Sequence, residues 1–297
     1  MMLDRLLRPW RQRLAGKGRR IVILLHEGTP ERRLRHYSIA RFIPTWIEDG
    51  HRVILARGAD RVVPGDLLIV HVDLSVVPER YLDLASHYRW ALNARIRDIR
   101  KSAISRNLVG PDSDWSGPVI VKSDLNCAGA PERKLLGDRK SAGHVLLPGE
   151  PALHFGALDR YVIYDHLDLV PEQHFLDPGL VVEKFRPEIH AGLYHVRTYH
   201  VLGTSANAYL HGSPDPLVKM SNIVTRQAVE AHPDIVALGR EIGLDYGKID
   251  YVVDHGEAVV LDVNKTTGGG GMAETPELLA ARARRARALY DYWNDVP

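Results

Sequence analysis

Cysteine is almost absent. Cys127 is the only one in 297 residues, so no disulfide can close within the chain, and a reducing compartment, the cytoplasm, is the expected location. With no neighbouring motif to activate it, Cys127 reads as inert packing. Long apolar runs are lacking too. None approaches the ~20 residues that span a bilayer, and the basic stretch from Met1 to Arg20 leads only into Ile21–Leu25 before His26 and Glu27 interrupt, too short for a signal-peptide core. There is no excess of one charge. The 39 basic and 37 acidic residues leave a formal charge of +2, which gives no electrostatic reason to expect nucleic acid or an anionic membrane as the main partner. The 15 histidines show no metal-ligand spacing, so no zinc site is expected. No internal repeat and no Ser–His or Cys–His motif of nucleophilic catalysis is present.

What is there suits a globular protein. Hydrophobic residues make up 45% and charged residues 26%, ordinary fractions for a chain with a sizeable core. At this length two domains are the default, with one large α/β unit as the alternative. Residues 1–18 form a basic N-terminal extension. Over residues 19–94, Arg20–Leu25, Arg52–Ala56 and Asp66–Val72 read as strands, and Arg35–Asp49 and Pro78–Ser86 as helices. Pro44 is expected to kink the first helix, and Gly50 to end it. This alternation predicts a small open α/β domain. A helix is expected over Trp90–Ser102. From residue 110 the texture changes. Pro118–Lys122, Leu180–Phe185, His195–Leu202, Lys248–Val253 and Ala258–Asn264 read as strands. Gln227–Ile242 and Pro276–Trp293 read as helices, and prolines punctuate long loops over 133–180. His26, Glu27, His71 and Asp73 follow strands where open α/β sheets bind ligands, although strand ends also carry ordinary polar caps.

The most informative segment runs from Lys248 to Asn264. Side chains alternate across a strand. Ile249, Tyr251 and Val253 therefore share one face of the first strand, and Val259, Leu261 and Val263 one face of the second. A three-residue turn at His255–Glu257 would align those faces and set Asp250 opposite Asp262 and Lys248 opposite Asn264. An even-length turn would put Asp250 opposite Leu261 and spoil both faces, which a half-buried sheet resists. The odd register gathers two carboxylates and an amide oxygen. Like charges across a strand pair repel, so a cation belongs there: Lys248 in part, or a hard dication held by oxygen ligands, for which Mg²⁺ completed by phosphate and water is the better match. A solvated polar face with Lys248 as a simple partner is the plainer alternative.

Three further segments add to this: Pro118–Lys122 ending in lysine, Leu180–Phe185 ending in Glu-Lys-aromatic, and Val196-Arg197-Thr198. Their order, followed by Asp250 and then Asp262-x-Asn264 and a glycine-rich stretch at Gly268–Gly271, resembles the ATP-grasp superfamily over residues 95–275. The resemblance implies an α/β (α+β) fold, in which a small N-terminal open α/β domain (19–94) precedes an ATP-grasp domain (95–297) whose two sheets enclose the nucleotide. It implies ATP and Mg²⁺ as cofactors. Asp250, Asp262 and Asn264 match the metal ligands, although Asp262 stands where the family often has Glu. Lys101 and Lys122 match the phosphate-contacting lysines, and Asn126 and Gly129 lie in the small-residue loop over the triphosphate, which here has one glycine. Glu183, Lys184 and Phe185 match the hinge at the adenine edge, and Glu188 a ribose contact. Lys248 and Arg197 match cationic helpers near the transferring phosphate, with a structural ion pair the alternative for Arg197. The implied activity is an ADP-forming ligase joining a small-molecule carboxylate to an amine or similar nucleophile. A small-molecule kinase or a non-catalytic nucleotide-binding module are the alternatives, and the resemblance also admits a homodimer.

Overall fold

Ile21–Leu25 is apolar at every position because both faces of its strand are covered; each of the five is at most 1% exposed. The run lies in β1 (Arg20–Leu25), which sits in a parallel sheet of order β2-β1-β3-β4 with β2 Arg52–Arg57, β3 Leu67–Val70 and β4 Trp90–Leu92. The computed structural model describes residues 18–136, 152–158, 160–269 and 275–294. The basic extension other than Gly18, residues 137–151 and 159 of the expected long loops, and Gly270 and Gly271 lie outside the described residues. One face of the sheet packs Ile21, Ile23, Leu67 and Ile69 against Ile39, Phe42 and Trp46, the last on α1 (Ile43–Glu48). The other packs Val22, Leu24, Leu68 and Val70 against Tyr81, Leu84 and Ala85 of α2 (Glu79–Ala85). The first face is closed from the far end of the chain. Ala286, Leu289 and Trp293 join its cluster, and Trp46 Nε1 donates to the Ala286 carbonyl at 2.8 Å.

Two helix expectations fail here for local reasons. The stretch 35–49 is two 3-10 segments, Glu31–His36 and Ser38–Arg41, followed by α1. Pro44 does not kink a helix. It lies in the first turn of α1, where its missing N–H costs nothing. Gly50 ends the element at φ 88° as expected. Trp90–Ser102 is not a helix either. Trp90–Leu92 pairs with Leu67–Ile69, Asn93 turns the chain at φ 58°, and only α3 (Lys101–Ile104) is helical. The buried Asn93 side chain accepts from the Asp245 and Tyr246 amides at 3.0 Å each. Those remote bonds hold the turn against local helical spacing.

The remainder forms two antiparallel sheets. The smaller has the order β6-β5-β7, with β5 Val119–Ser123, β6 Val162–Tyr164 and β7 Leu180–Lys184. The larger has the order β11-β10-β9-β12-β13, with β8 paired to β9. Its strands are β8 Glu188–His190, β9 Leu193–Leu202, β10 Ser205–Ser213, β11 Thr225–Val229, β12 Tyr246–Asp254 and β13 Glu257–Asn264. The helix expected over Gln227–Ile242 divides into β11 and a helix over Pro233–Glu241, because Pro233 stands at a helix start and the His232 side chain caps the Asp234 amide. Tyr199, Val201, Ile249, Tyr251 and Val263 face Ile235 of that helix and Leu244. Residues directly opposite across antiparallel strands share a face. The other face therefore carries Thr198 and His200, Lys248 and Asp250, Asp262 and Asn264.

The hairpin reaches its expected pairing by an unexpected route. Asp250 lies opposite Asp262 and Lys248 opposite Asn264. The turn, however, has two residues: Asp254 pairs with Glu257, and His255 and Gly256 have φ of 49° and 83°, the positive-φ pair of a tight hairpin. Such a turn alone would misalign the carboxylates. A β-bulge restores them, because Tyr251 pairs with Val260 while Asp250 pairs with Asp262, leaving Leu261 as the extra residue. The bulge also exchanges faces, so Val260 rather than Leu261 joins Val263 in the apolar cluster. No described helix is long and apolar enough to cross a membrane.

Candidate functional site

The polar face of β12 and β13 is met by two lysines from outside its sheet. Lys101, on α3, is 1% exposed; its Nζ donates to the Leu125 carbonyl at 3.3 Å and stands 3.6 Å from Asp262 Oδ1. Burial works against its charge, but Asp262, with Tyr161 and Glu183, outweighs burial and holds the ammonium above its ordinary pKa. Lys122, on β5, forms a buried ion pair with Glu183 of β7, and its Nζ also reaches the carbonyl of Leu261 at 3.4 Å. Leu261 is the bulged residue, so the irregularity that corrects the register also turns a carbonyl toward the smaller sheet. Lys248 covers Asp250, with Nζ 2.8 and 2.6 Å from the two carboxylate oxygens. Burial raises the pKa of Asp250, while Lys248 opposes the rise.

The oxygen ligands expected for a metal are together. Among the described residues no three His, Cys, Asp or Glu side chains gather as a metal site; the candidate set is two carboxylates and one amide. Asn264 Nδ2 donates to Asp262 Oδ2 at 3.3 Å, Asn264 Oδ1 accepts from Asn126 Nδ2 at 3.0 Å, and the buried Asp262 Oδ1 has no hydrogen-bond partner. An orphaned carboxylate oxygen beside an amide oxygen fits a hard cation such as Mg²⁺. Asp250 fits only when Lys248 swings off it.

The loop after β5 supplies Asn126. Cys127, Ala128 and Gly129 have φ of 48°, 52° and 70°, a left-handed turn of three residues. Gly129 is needed there, because a Cβ would meet Phe155 at 2.8 Å and Leu125 at 2.9 Å. Cys127 is exposed at its edge, yet the surrounding walls and the carboxylates of Asp262 and Asp73 push its thiol up to about 11, which leaves it un-ionised and consistent with the inert role read from sequence.

Arg197 and Glu188 must be corrected. Arg197 is opposite Tyr251 and shares the face of Tyr199 and Val201, whereas Lys248 and Asp250 share the face of Thr198 and His200. The two-residue period of a strand thus places Arg197 on the far side of the sheet from the carboxylates. There it makes three hydrogen bonds of 2.7–3.0 Å to Glu188, which also accepts the Val253 amide at 2.8 Å. Arg197 is in a structural ion pair, and Glu188 is committed to it rather than turned toward a ribose. Arg197→Met should therefore destabilise the fold by about 3 kcal/mol, because it strands a buried carboxylate, and leave ATP affinity unchanged; urea unfolding and calorimetric titration measure the two. The amides of Lys184 and Phe185 already donate to Asn107 and Pro118 carbonyls at 2.9 and 2.8 Å, and the Lys184 ammonium lies 5.0 Å over the Trp115 ring. A base edge reaching this segment finds those donors in use.

Sequence reasoning missed Lys265, which nothing in Asn-Lys-Thr-Thr marks as buried. It is 1% exposed and donates to the carbonyls of Val72, at 2.7 Å, and Leu74, tying the end of β13 to the end of β3. Beside it Asp73 accepts from Tyr37 Oη at 2.5 Å and from Thr266 Oγ1, and Glu27 after β1 accepts from Arg80 at 3.1 Å and from Tyr81. Both strand-end carboxylates are thus satisfied by neighbours. Burial draws Lys265 down to about 8 against the pull of Asp73 and Glu132. A lysine depressed in the fold is deprotonated there first, so between about pH 8 and the ordinary lysine value of 10.5 the unfolded chain binds more protons and stability rises with pH. From about pH 9 Cys127, raised from 9.0 to about 11, and the tyrosines raised in the fold, Tyr37, Tyr81 and Tyr246 among them, work in the opposite direction. The urea midpoint of the wild type, measured relative to that of Lys265→Met, should increase from about pH 8 to about pH 9.5; a difference that stays constant with pH would contradict the buried lysine's titration.

The chain is similar in structure to a RimK domain protein ATP-grasp from Sphaerobacter thermophilus, with 14% identity, 92% of this chain and 98% of that chain covered, and a TM-score of 0.46. It is similar to D-alanine–D-alanine ligase from Bacillus anthracis, with 12% identity, 93% and 95% covered, and a TM-score of 0.41. It is similar also to the macrocyclase MdnC, bound with precursor peptide MdnA, from Microcystis aeruginosa, with 12% identity, 92% and 99% covered, and a TM-score of 0.47. No family model matches the chain, and no curated protein matches it.

Proposed function

We propose that the chain is an ATP-dependent, ADP-forming ligase of the ATP-grasp type, activating a carboxylate as an acyl phosphate for attack by an amine or similar nucleophile. One observation carries the reading. Two buried lysines from outside the larger sheet, Lys101 and Lys122, converge on the carbonyl of Leu261 and the carboxylate of Asp262, beside Asn264 and the Lys248–Asp250 pair. Buried charges are costly unless matched, and a site holding fixed cations next to spare oxygen ligands suits a metal-bound polyphosphate. Asp262, Asn264 and, once released by Lys248, Asp250 would hold Mg²⁺, which when bound offsets the phosphate charge as the γ-phosphoryl group moves.

The chain's own part is positioning and neutralisation. Lys101 and Lys122 would hold the phosphates. Lys248, freed from Asp250, would face the transferring group. An oxygen of the acceptor carboxylate attacks the γ-phosphorus as the bond to the β–γ bridging oxygen breaks, and ADP leaves with that electron pair. The nucleophile then adds to the acyl carbon, phosphate departs with the C–O bonding pair, and the nucleophile's proton passes to solvent. No protein nucleophile is required. Incubating the chain with ATP, Mg²⁺ and candidate carboxylates in hydroxylamine tests this: a hydroxamate with stoichiometric ADP is expected, and a stable phosphoester would overturn the ligase assignment.

A further inference from the structure

The polar face of the larger sheet continues past Lys248. His200 lies opposite Lys248, Asn207 opposite His200, Tyr209 opposite Thr198, and Arg226 opposite His211. By the same alternation all of these share the face of Asp250 and Asp262. Three cations collect on this half. Lys248 comes from β12. Arg226 comes from β11, its guanidinium 3.9 Å over the Tyr209 ring. Arg285 comes from the last long helix (Pro276–Arg287), whose Ala286 packs with Leu202 and Tyr246 at the end of this same face, and its guanidinium is 6.0 Å over Phe42.

Arg285 is the unusual member. Its Nε is buried without a hydrogen-bond partner, and among the described residues no carboxylate pairs with it. Burial lowers its pKa, and only the neighbouring phenols of Tyr246 and Tyr209 oppose this. A guanidinium unmatched among the described residues costs stability in such a place, whereas Asp250 and Asp262 at the other end of the face have Lys248 and Lys101. His200 is lowered to about 3, by burial first and then by Arg285 and Lys248, and His211 to about 4, by burial first and then by Arg226 and Lys248. His211 donates or accepts at Thr198 Oγ1 through Nε2 at 3.1 Å, while its Nδ1 has no partner. The half-face is continuous with the proposed phosphoryl site through Lys248, which lies opposite His200.

We propose that this half-face binds the acceptor and selects one bearing a second carboxylate, with Arg285 as the partner of that group and Lys248 beside the reacting one. A planar guanidinium meets a carboxylate through two parallel hydrogen bonds, which gives both affinity and orientation. The assignment of the reacting carboxylate rests on the ligase reading; recognition of the second carboxylate does not.

Calorimetric titration of the full chain with glutarate and with butyrate, which differ by one carboxylate, tests the proposal. Glutarate should bind at least about tenfold more tightly. Arg285→Gln should remove that preference, Arg285→Lys should restore part of it, and the more exposed Arg226→Gln should reduce it, with magnesium–ATP affinity in each variant as the control for folding. Equal affinities, binding of neither compound, or a preference that survives Arg285→Gln would overturn the proposal. A glutarate preference in a chain that fails to bind ATP would overturn the ligase reading and leave the anion site standing. ATP binding without the preference would do the reverse.

Discussion

Asp262→Ala combined with Asn264→Ala is expected to lower magnesium-dependent ADP release by about three orders of magnitude or more. The size follows from what the two residues hold. Asp262 Oδ1 is a buried carboxylate oxygen without a hydrogen-bond partner, and Asn264 Oδ1 stands beside it, fixed by Asn126. Remove both and only Asp250 remains, with both oxygens already engaged by Lys248. The double substitution also takes away the carboxylate nearest Lys101, so stability must be measured alongside activity. The exchange Asp262→Asn with Asn264→Asp serves as the control. It keeps the total charge and the volume, and it should fold as the wild type does while losing most of the magnesium dependence. Full turnover in the alanine variant would remove the hairpin from the mechanism.

The largest effect on stability is expected from Lys122→Met. Lys122 is 4% and Glu183 2% exposed, and the two form a single ion pair. Breaking a buried pair from one side leaves the other charge without compensation and costs about 3–5 kcal/mol. Glu183 is poorly placed to absorb the loss, because its second oxygen, Oε1, already lacks a partner. Replacing both members, as Lys122→Met with Glu183→Leu, should return stability to near the wild-type value, since well-packed apolar residues substitute for a buried pair with little penalty. ATP affinity should not return with it. If Lys122 meets phosphate, both variants lose a charge-assisted contact and bind ATP roughly tenfold to a hundredfold more weakly. Urea unfolding and nucleotide titration on the same two variants separate the structural role of the pair from its role in binding.

The hairpin was legible because charge and hydrophobic period agree there. Alternation fixes which residues share a face, and only one register gathers Asp250, Asp262, Lys248 and Asn264 while keeping Ile249 and Val263 inside. The turn was misread by one residue. A two-residue turn with a compensating bulge at Leu261 gives the same pairing at the site, and no local pattern separates these routes. Arg197 was misassigned although the signal was present: it lies two residues before Tyr199 and four before Val201, both in the apolar cluster, so it belongs on their face. Trp90–Leu92 was misread as helical because an edge strand is specified by its partner, Leu67–Ile69, rather than by its own spacing. Lys265 offered no signal at all. Its burial comes from the carbonyls of Val72 and Leu74, residues that only the fold brings near.

One face of one hairpin is proposed to hold the metal of a nucleotide complex. The most direct test is a crystal structure of the full chain grown with Mn²⁺ and a non-hydrolysable ATP analogue, read by the anomalous signal of the metal. One manganese ion is expected within about 2.2 Å of an Asp262 oxygen and of Asn264 Oδ1, with the triphosphate running toward Lys101 and Lys122 and the Lys248 ammonium displaced from Asp250. A metal and nucleotide bound on the opposite face of the sheet, beside Arg197 and Glu188, would contradict it.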